Sequence, residues 1–195
     1  MPTGIALRDA RKKLFDAAER ILLRDGPHAL TSRAVTTEAG CAKGVLHKHF
    51  ADFDAFLAEL IADRIARIDD QAAALRESAG TGTVTGNLSK AITAVFESVA
   101  VAIIGLITFR DDLRVRLRQA RGGTGVPLLS EATEMIGEYL AAELDRGRIA
   151  ADADLNTLAP MLIGTGHLLF ADRTAPPAAA AVHKAVTTAI ACVLR

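Results

Sequence analysis

The chain is poor in the residues that most often carry chemistry or staple small folds: among 195 residues there is no tryptophan, one tyrosine and two cysteines, and aromatic residues make up 4%. Cys41 and Cys192 are too few for a secreted disulfide framework and have no CxxC spacing for zinc, so both are read as structural, with oxidation of Cys41 the one redox alternative. No hydrophobic run is long. The longest, Val99 to Ile107, falls well short of the roughly 20 residues of a membrane span and is closed by Arg110, Asp111 and Asp112, so a buried helix is expected there. Through Arg24 the N-terminal segment is charged and helical in pattern rather than continuously apolar, so no secretory signal is expected and a cytoplasmic location is. β-Branched residues rarely alternate with polar ones, which argues against a sheet and for an all-α fold. A nucleophile elbow, a phosphate loop, a metal-ligand set and a carboxylate pair with a plausible base are all missing, so no enzyme, no metal and no cofactor is expected.

Net charge is missing too, with 23 Lys and Arg against 23 Asp and Glu, yet the charge is unevenly spread. Residues 1–50 carry nine basic and five acidic side chains, and residues 51–195 carry fourteen and eighteen, so one end is +4 and the rest −4. A phosphate backbone would be attracted to the first and repelled by the second. The basic end holds the most informative stretch of the chain, A-G-C-A-K-G-V-L-H-K-H-F from Ala39 to Phe50. Gly40 lies between two short helical patterns, where a left-handed residue lets one helix stop and the next start at a steep angle. Upstream, Thr31 is a good N-cap for a helix reaching Ala39. Downstream, Ala42 to Phe50 predicts a helix of roughly 13 Å with Val45, Leu46 and Phe50 inward and Lys43, His47 and Lys48 outward. Outward residues with cationic or hydrogen-bonding ends suit a DNA major groove better than a catalytic site.

Helical spacing organises the rest. A first helix over about 8–24 has the stripe Leu14, Ala17, Ala18, Ile21 and Leu22 and ends at Gly26 and Pro27. Asp52 or Asp54 can cap a long helix over about 53–77, with Phe56, Leu57, Leu60, Ile61, Ile65, Ile68 and Leu75 as its stripe. Residues 78–86 read as a loop, and five further helices are predicted over about 87–108, 111–121, 128–146, 155–172 and 178–194. Nine helices result, divided into a small basic head over 1–68 and a larger body over 69–195.

The A-A-x-x-I-L of Ala17 to Leu22, the turn at Gly26, the T-x-R of Thr31 to Arg33 and the A-G-x-x-K-G-x-L-x-x-x-F of Ala39 to Phe50 together resemble the tetracycline-repressor (TetR) family of one-component transcriptional regulators. The resemblance implies a helix-turn-helix head that binds an operator and a helical body that forms a ligand-binding dimer. It also marks departures. Ala42 stands where such proteins usually carry Ser or Thr, Val45 where Thr is common, and His47 where Tyr is common. Neutral phosphate contacts should therefore be fewer, and operator affinity modest or pH-dependent, resting on Lys43, Lys48, Arg33 and the helix N-termini.

The DNA-contacting set is accordingly Thr31, Arg33, Lys43, His47 and Lys48. His47 and His49, two apart on a helix, face different directions and do not chelate one metal. Ile61, Ile65, Phe96, Ile103, Phe109, Met135, Tyr139, Met161 and His167 are candidates for an apolar ligand pocket, with Tyr139 and His167 as orienting polar tips, although each alone is more often plain core. Arg114, Arg116, Arg118 and Arg121 crowd one short helix, as a solvated face or a contact with an anion or with the head. Two late stripes, Leu162, Ile163, Gly166, Leu169 and Phe170, then Val182, Val186, Ile190 and Val193, exceed what one core needs and suggest a homodimer through a four-helix bundle. The expected function is a ligand-responsive regulator, a repressor that binds a pseudo-palindromic double-stranded operator as a dimer and is released by a small lipophilic effector. The alternative is a helical small-molecule-binding protein whose head has lost DNA binding.

Overall fold

Ten α-helices and one 3-10 turn account for the regular structure in the computed structural model, which describes residues 4–97, 99–122, 125–172 and 175–195, without the side chains of residues 4–8 and Arg121. Among the described residues there is no strand, only an isolated bridge between Ile149 and Leu194. By contacts the chain forms two compact units, Met1–Asp63 with Ala102–Thr124, and Arg64–Val101 with Gly125–Arg195. This division differs from a single cut at residue 68. The chain passes from one unit to the other within the long helix, and returns to the first for residues 102–124.

The first unit begins with α1 (Gly4–Arg24), whose Leu14, Ala17, Ala18, Ile21 and Leu22 are all buried, as their spacing requires. After the turn at Pro27–Ala29, α2 (Ser32–Glu38) is capped by Thr31, whose side chain accepts the Ala34 N–H at 3.1 Å. Gly40, at φ 65°, closes α2 with paired bonds, Gly40 N–H to Thr37 O at 3.1 Å and Cys41 N–H to Thr36 O at 2.9 Å. That is a Schellman ending, which a residue with a Cβ adopts only under strain. There follow α3 (Gly44–His49) and α4 (Phe53–Glu77). Phe15, Phe50 and Phe56 form the aromatic centre, with ring centroids 5.1 to 5.9 Å apart. Residues 102–108 of α6 (Ala100–Thr108) and all of α7 (Asp111–Arg121) belong to this unit, and Arg110 and Arg116 pair with Asp54 and Asp52 beside the start of α4.

The expected helix over 87–108 is two helices. Thr83 starts α5 (Val84–Phe96) by accepting the Gly86 N–H at 3.0 Å, so the V-T-G of residues 84–86 is the first turn of a helix rather than loop. With α6 separate, ten helices replace the nine expected.

In the second unit α8 (Leu129–Asp145) packs on α9 (Leu155–Leu169), and α10 (Ala179–Ile190) packs on both α5 and α9. Gly166 is the close point: a Cβ there would lie 2.7 Å from both Ile92 Cγ2 and Phe96 Cε2. Asp154 caps α9 by accepting the Thr157 N–H at 3.1 Å. The last residues do not continue α10 as expected, because Val193 accepts the Ala150 N–H at 2.8 Å and Arg195 donates to Arg148 O at 3.2 Å. A polar cluster lies inside the unit. Glu143, fully buried, accepts from the Tyr139 hydroxyl at 2.5 Å and the Gly80 N–H at 3.2 Å and pairs with Arg148 at 3.3 Å, while Asn87 donates to the Tyr139 oxygen at 3.1 Å.

Candidate nucleic-acid interface and body cavity

α3 is short because nothing caps it. Lys43, rather than Ala42, occupies the N-cap position, without a side-chain hydrogen bond, and the helix runs over Gly44–His49 instead of the expected 42–50. Its inner side is held by Leu46 and, just past its end, Phe50, both buried; Val45 is half-buried. Arg11 braces it from α1, with its guanidinium 4.6 Å from the centre of the Phe50 ring, its Nη1 3.4 Å from His49 O, and an ion pair to Glu59. His49 is half-buried against Phe50.

Thr31, Arg33, Lys43, His47 and Lys48 are all exposed on this unit. The surrounding cations sort into two groups. Arg20 and Arg24 are occupied: Arg20 Nε lies 2.8 Å from Glu38 Oε1, and Arg24 reaches Glu38 Oε2 at 3.2 Å and Asp25 at 2.8 Å, tying the end of α1 to the end of α2. Those arginines hold the Glu38 carboxyl below the ordinary carboxylate range. The side chains of Arg33, Lys43 and Lys48, by contrast, make no ion pair or hydrogen bond among the described residues. A Cβ built on Gly40 or Gly44 would meet nothing within 4 Å, so the approach to α3 is open. A rigid apolar back with unoccupied cations on its front is what phosphate contact requires.

The second unit contains a cavity of about 130 Å³. One face of α4 supplies Arg64, Arg67, Ile68 and Gln71, spaced i, i+3, i+4 and i+7, and Ala94, Val95, Ala100 and Leu128 complete the lining. None of the nine expected pocket residues lines it. Ile61, Ile103 and Phe109 belong to the first unit, and Phe109 is 88% exposed. Ile65, Phe96 and Met135 are buried core of the second, and Met161 is 53% exposed. Phe96 and His167 are in ring contact, with centroids 6.0 Å apart. Tyr139 is not a waiting polar tip, since Glu143 and Asn87 occupy its hydroxyl. Spacing could have pointed to Arg64, Arg67 and Gln71, which run along the edge of the apolar stripe of α4.

Residues 14–60 match the model of the tetR family of bacterial regulatory proteins. The match spans α2, the Gly40 turn and α3, within about a quarter of the chain. The whole chain also folds like solved regulators. A TetR-family transcriptional regulator from Agrobacterium tumefaciens is 12% identical with a TM-score of 0.73, covering 97% of this chain and 100% of that one. A TetR transcription regulator from Haloarcula marismortui is 15% identical, TM-score 0.70, with 96% and 100% covered. The transcriptional regulator FadR from Bacillus subtilis, solved in complex with stearoyl-CoA, is 16% identical, TM-score 0.66, with 92% and 97% covered. No curated protein matches the sequence. Of the TetR-family pattern, α2, the Gly40 turn and α3 stand in place here, and the three departures sit on or beside α3.

The stripes expected to form a dimer surface are consumed inside the second unit. Leu162, Ile163, Gly166, Phe170, Val182, Val186 and Ile190 are buried, and Leu169 and Val193 half-buried, because α5 and α8 pack against α10 and α9. The expectation of a surplus overlooked those two partners. What α9 leaves outside is a different face, Thr157, Met161, Gly164 and Leu168, with Leu168 76% exposed. α10 leaves Ala180, Thr187, Thr188 and Ala191.

Proposed function

We propose that this TetR-family chain is a ligand-responsive transcriptional repressor that binds a pseudo-palindromic operator as a homodimer and releases it when a small molecule occupies the body. The observation that carries this reading is the trio Arg33, Lys43 and Lys48, exposed and unoccupied around a helix-turn-helix whose neighbouring arginines are all engaged in ion pairs. α3 enters the major groove and Thr31, Arg33 and His47 join its lysines at phosphates and base edges. The dimer forms through the small and apolar outer residues of α9 and α10, Met161, Gly164, Leu168, Thr187 and Ala191, which permit close helix approach. The FadR of similar fold, in complex with stearoyl-CoA, supports a body that takes a ligand. α4, shared by both units, is the element through which occupancy of the body alters operator affinity.

A second reading keeps the body as a small-molecule binder with a head that no longer grips DNA, favoured by the uncapped, six-residue α3. Selection of genomic DNA fragments on the purified protein decides between them. A recovered inverted repeat, retarded by wild-type protein at moderate salt, supports the repressor; recovery of no sequence above background supports the second reading.

A further inference from the structure

We propose that the cavity of the second unit takes a small uncharged phenol or alcohol, its hydroxyl bonded to the side-chain amide of Gln71 and its compact apolar body set against Ile68, Val95, Ala100 and Leu128. The inference deepens the reading of the body as an effector-binding unit and rests on it.

The polar part of the lining is Arg64, Arg67 and Gln71. Each of the two guanidiniums is already engaged within the protein, so they form wall rather than anchor. Gln71 differs, because its Oε1 is buried and has no hydrogen-bond partner among the described residues. An acceptor closed off from water in this way carries its desolvation cost in the free protein, and a ligand that supplies a donor recovers it. Rotation about the terminal amide torsion, which is soft, turns the oxygen to that donor. A hydroxyl suits the amide best, since its one oxygen both donates to Oε1 and accepts from Nε2. A carboxylate would set its lone pairs against Oε1, and an ammonium would enter a wall that two permanently charged guanidiniums make unfavourable to cations.

The rest of the wall selects the body of the ligand. Ile68, Val95, Ala100 and Leu128 are each at most 5% exposed, while Arg67 and Ala94 are exposed and form the rim. A buried apolar floor under an exposed rim gives an apolar body both a way in and a dry seat. Volume sets the size. A cavity of about 150 Å³ holds a benzene ring, and this one, at about 130 Å³, fits a single ring or short chain of that order and not a long acyl chain. Leu128 adds a sign of specialisation: it sits at φ 74° and ψ −44°, the one non-glycine residue with positive φ among those described. A bulky side chain rarely adopts that conformation, and Glu131 Oε2, which accepts the Leu128 N–H at 2.7 Å, holds it there at the cavity wall.

The test is isothermal titration of the full-length protein with phenol, alongside benzoate and toluene, which has the shape of phenol without its hydroxyl. Saturable binding of phenol, with toluene about five- to tenfold weaker and benzoate weaker than phenol, is the expected result. Gln71→Leu should weaken phenol by about the same factor and bind toluene at least as tightly as wild type, so that the preference is lost. The melting temperature of this variant should hold or rise, since an unpartnered buried acceptor is removed. Ala94→Phe, at the exposed rim, should exclude both ligands without entering the core, and it reads the same site if Gln71→Leu does not fold. No phenol binding at about 10 mM, toluene as tight as phenol, benzoate tighter than phenol, an undiminished preference in Gln71→Leu, or wild-type binding in Ala94→Phe would each overturn the proposal. Operator binding measured on the same preparation separates the two ideas: DNA binding without phenol binding removes only the ligand class, and phenol binding without DNA binding removes only the repressor.

Discussion

Arg116 and Asp52 form a two-pronged ion pair across 64 residues of chain, Nη1 to Oδ1 at 3.0 Å and Nη2 to Oδ2 at 2.9 Å, while the same Oδ1 accepts the Ala55 N–H at 2.6 Å. One carboxylate thus caps α4 and ties α7 to the helix-turn-helix unit. Of the two roles open to the crowded arginines of α7, Arg116 takes the contact with the head. The Arg116 hydrogen bonds and then the Ala55 N–H hold the Asp52 carboxyl below its ordinary value.

A depressed carboxyl contributes stability above its unfolded pKa and loses it as pH falls through the lower folded one. Asp52→Asn should therefore flatten the acid limb of the pH–stability curve below about pH 4, and Asp52→Ala should lower the melting temperature by a few degrees, roughly 2 to 4. Arg116→Ala should lower it less, since the cap on α4 survives. Calorimetry from neutral to acid pH checks all three, and equal acid limbs for wild type and Asp52→Asn would remove the assignment.

Tyr139 is the only tyrosine, and the chain has no tryptophan, so phenol absorbance reports this one site. Burial first, then the hydrogen bond to Glu143, push its ionisation above the ordinary value near 10. A raised phenol favours the folded state below its unfolded pKa, and that contribution is lost as pH rises through the folded one. Tyrosinate absorbance should stay silent through the ordinary titration range and rise only with unfolding. Tyr139→Phe should cost about 1 to 2 kcal/mol of stability, because Asn87 and Glu143 lose their shared partner. A normal, reversible titration in the folded protein would contradict the buried network.

What could be read in advance follows from how local each cause is. The limits of α4 and α7 fall where the sequence predicts them, since caps, breaks and a clean apolar stripe lie within a few residues of each other. The break between α5 and α6 was hidden, because the run from Val99 to Ile107 is apolar on every side and has no phase to interrupt. Thr31, Gly40 and Leu46 were legible from turn and cap chemistry. Spacing along α4 sets Arg64 and Gln71 beside its apolar stripe, but that they share a cavity with Val95 and Leu128 follows from contacts far along the chain. Tyr139 looked solitary for the same reason: Glu143 is one turn away, but Asn87 is 52 positions distant.

The dimer proposal now rests on the outer face of α9. Leu168→Asp should yield a folded monomer, since the side chain is largely exposed in the single chain and leaves its core untouched. Ile190→Asp, fully buried in its own unit, should instead unfold or precipitate the protein. Light scattering with circular dichroism separates the two. A Leu168→Asp protein of unchanged dimeric mass would place the interface elsewhere.

Operator contact makes the most quantitative demand on α3. Each lysine that neutralises one phosphate releases about one counterion, so Lys43→Ala and Lys48→Ala should each weaken binding and lower the slope of log affinity against log salt by about one unit. Neither side chain is buried or paired, so neither variant should change the melting temperature, and lost affinity cannot be attributed to a damaged head. Arg33→Ala, at the exposed start of α2, should behave in the same way if it meets phosphate. If it reads a base instead, affinity should fall while the salt slope stays put and discrimination at one operator position relaxes by about 1 to 3 kcal/mol. Fluorescence titrations of a labelled operator over a salt series give slope and affinity together. Wild-type values for Lys43→Ala and Lys48→Ala alike would mean that α3 does not lie against the DNA.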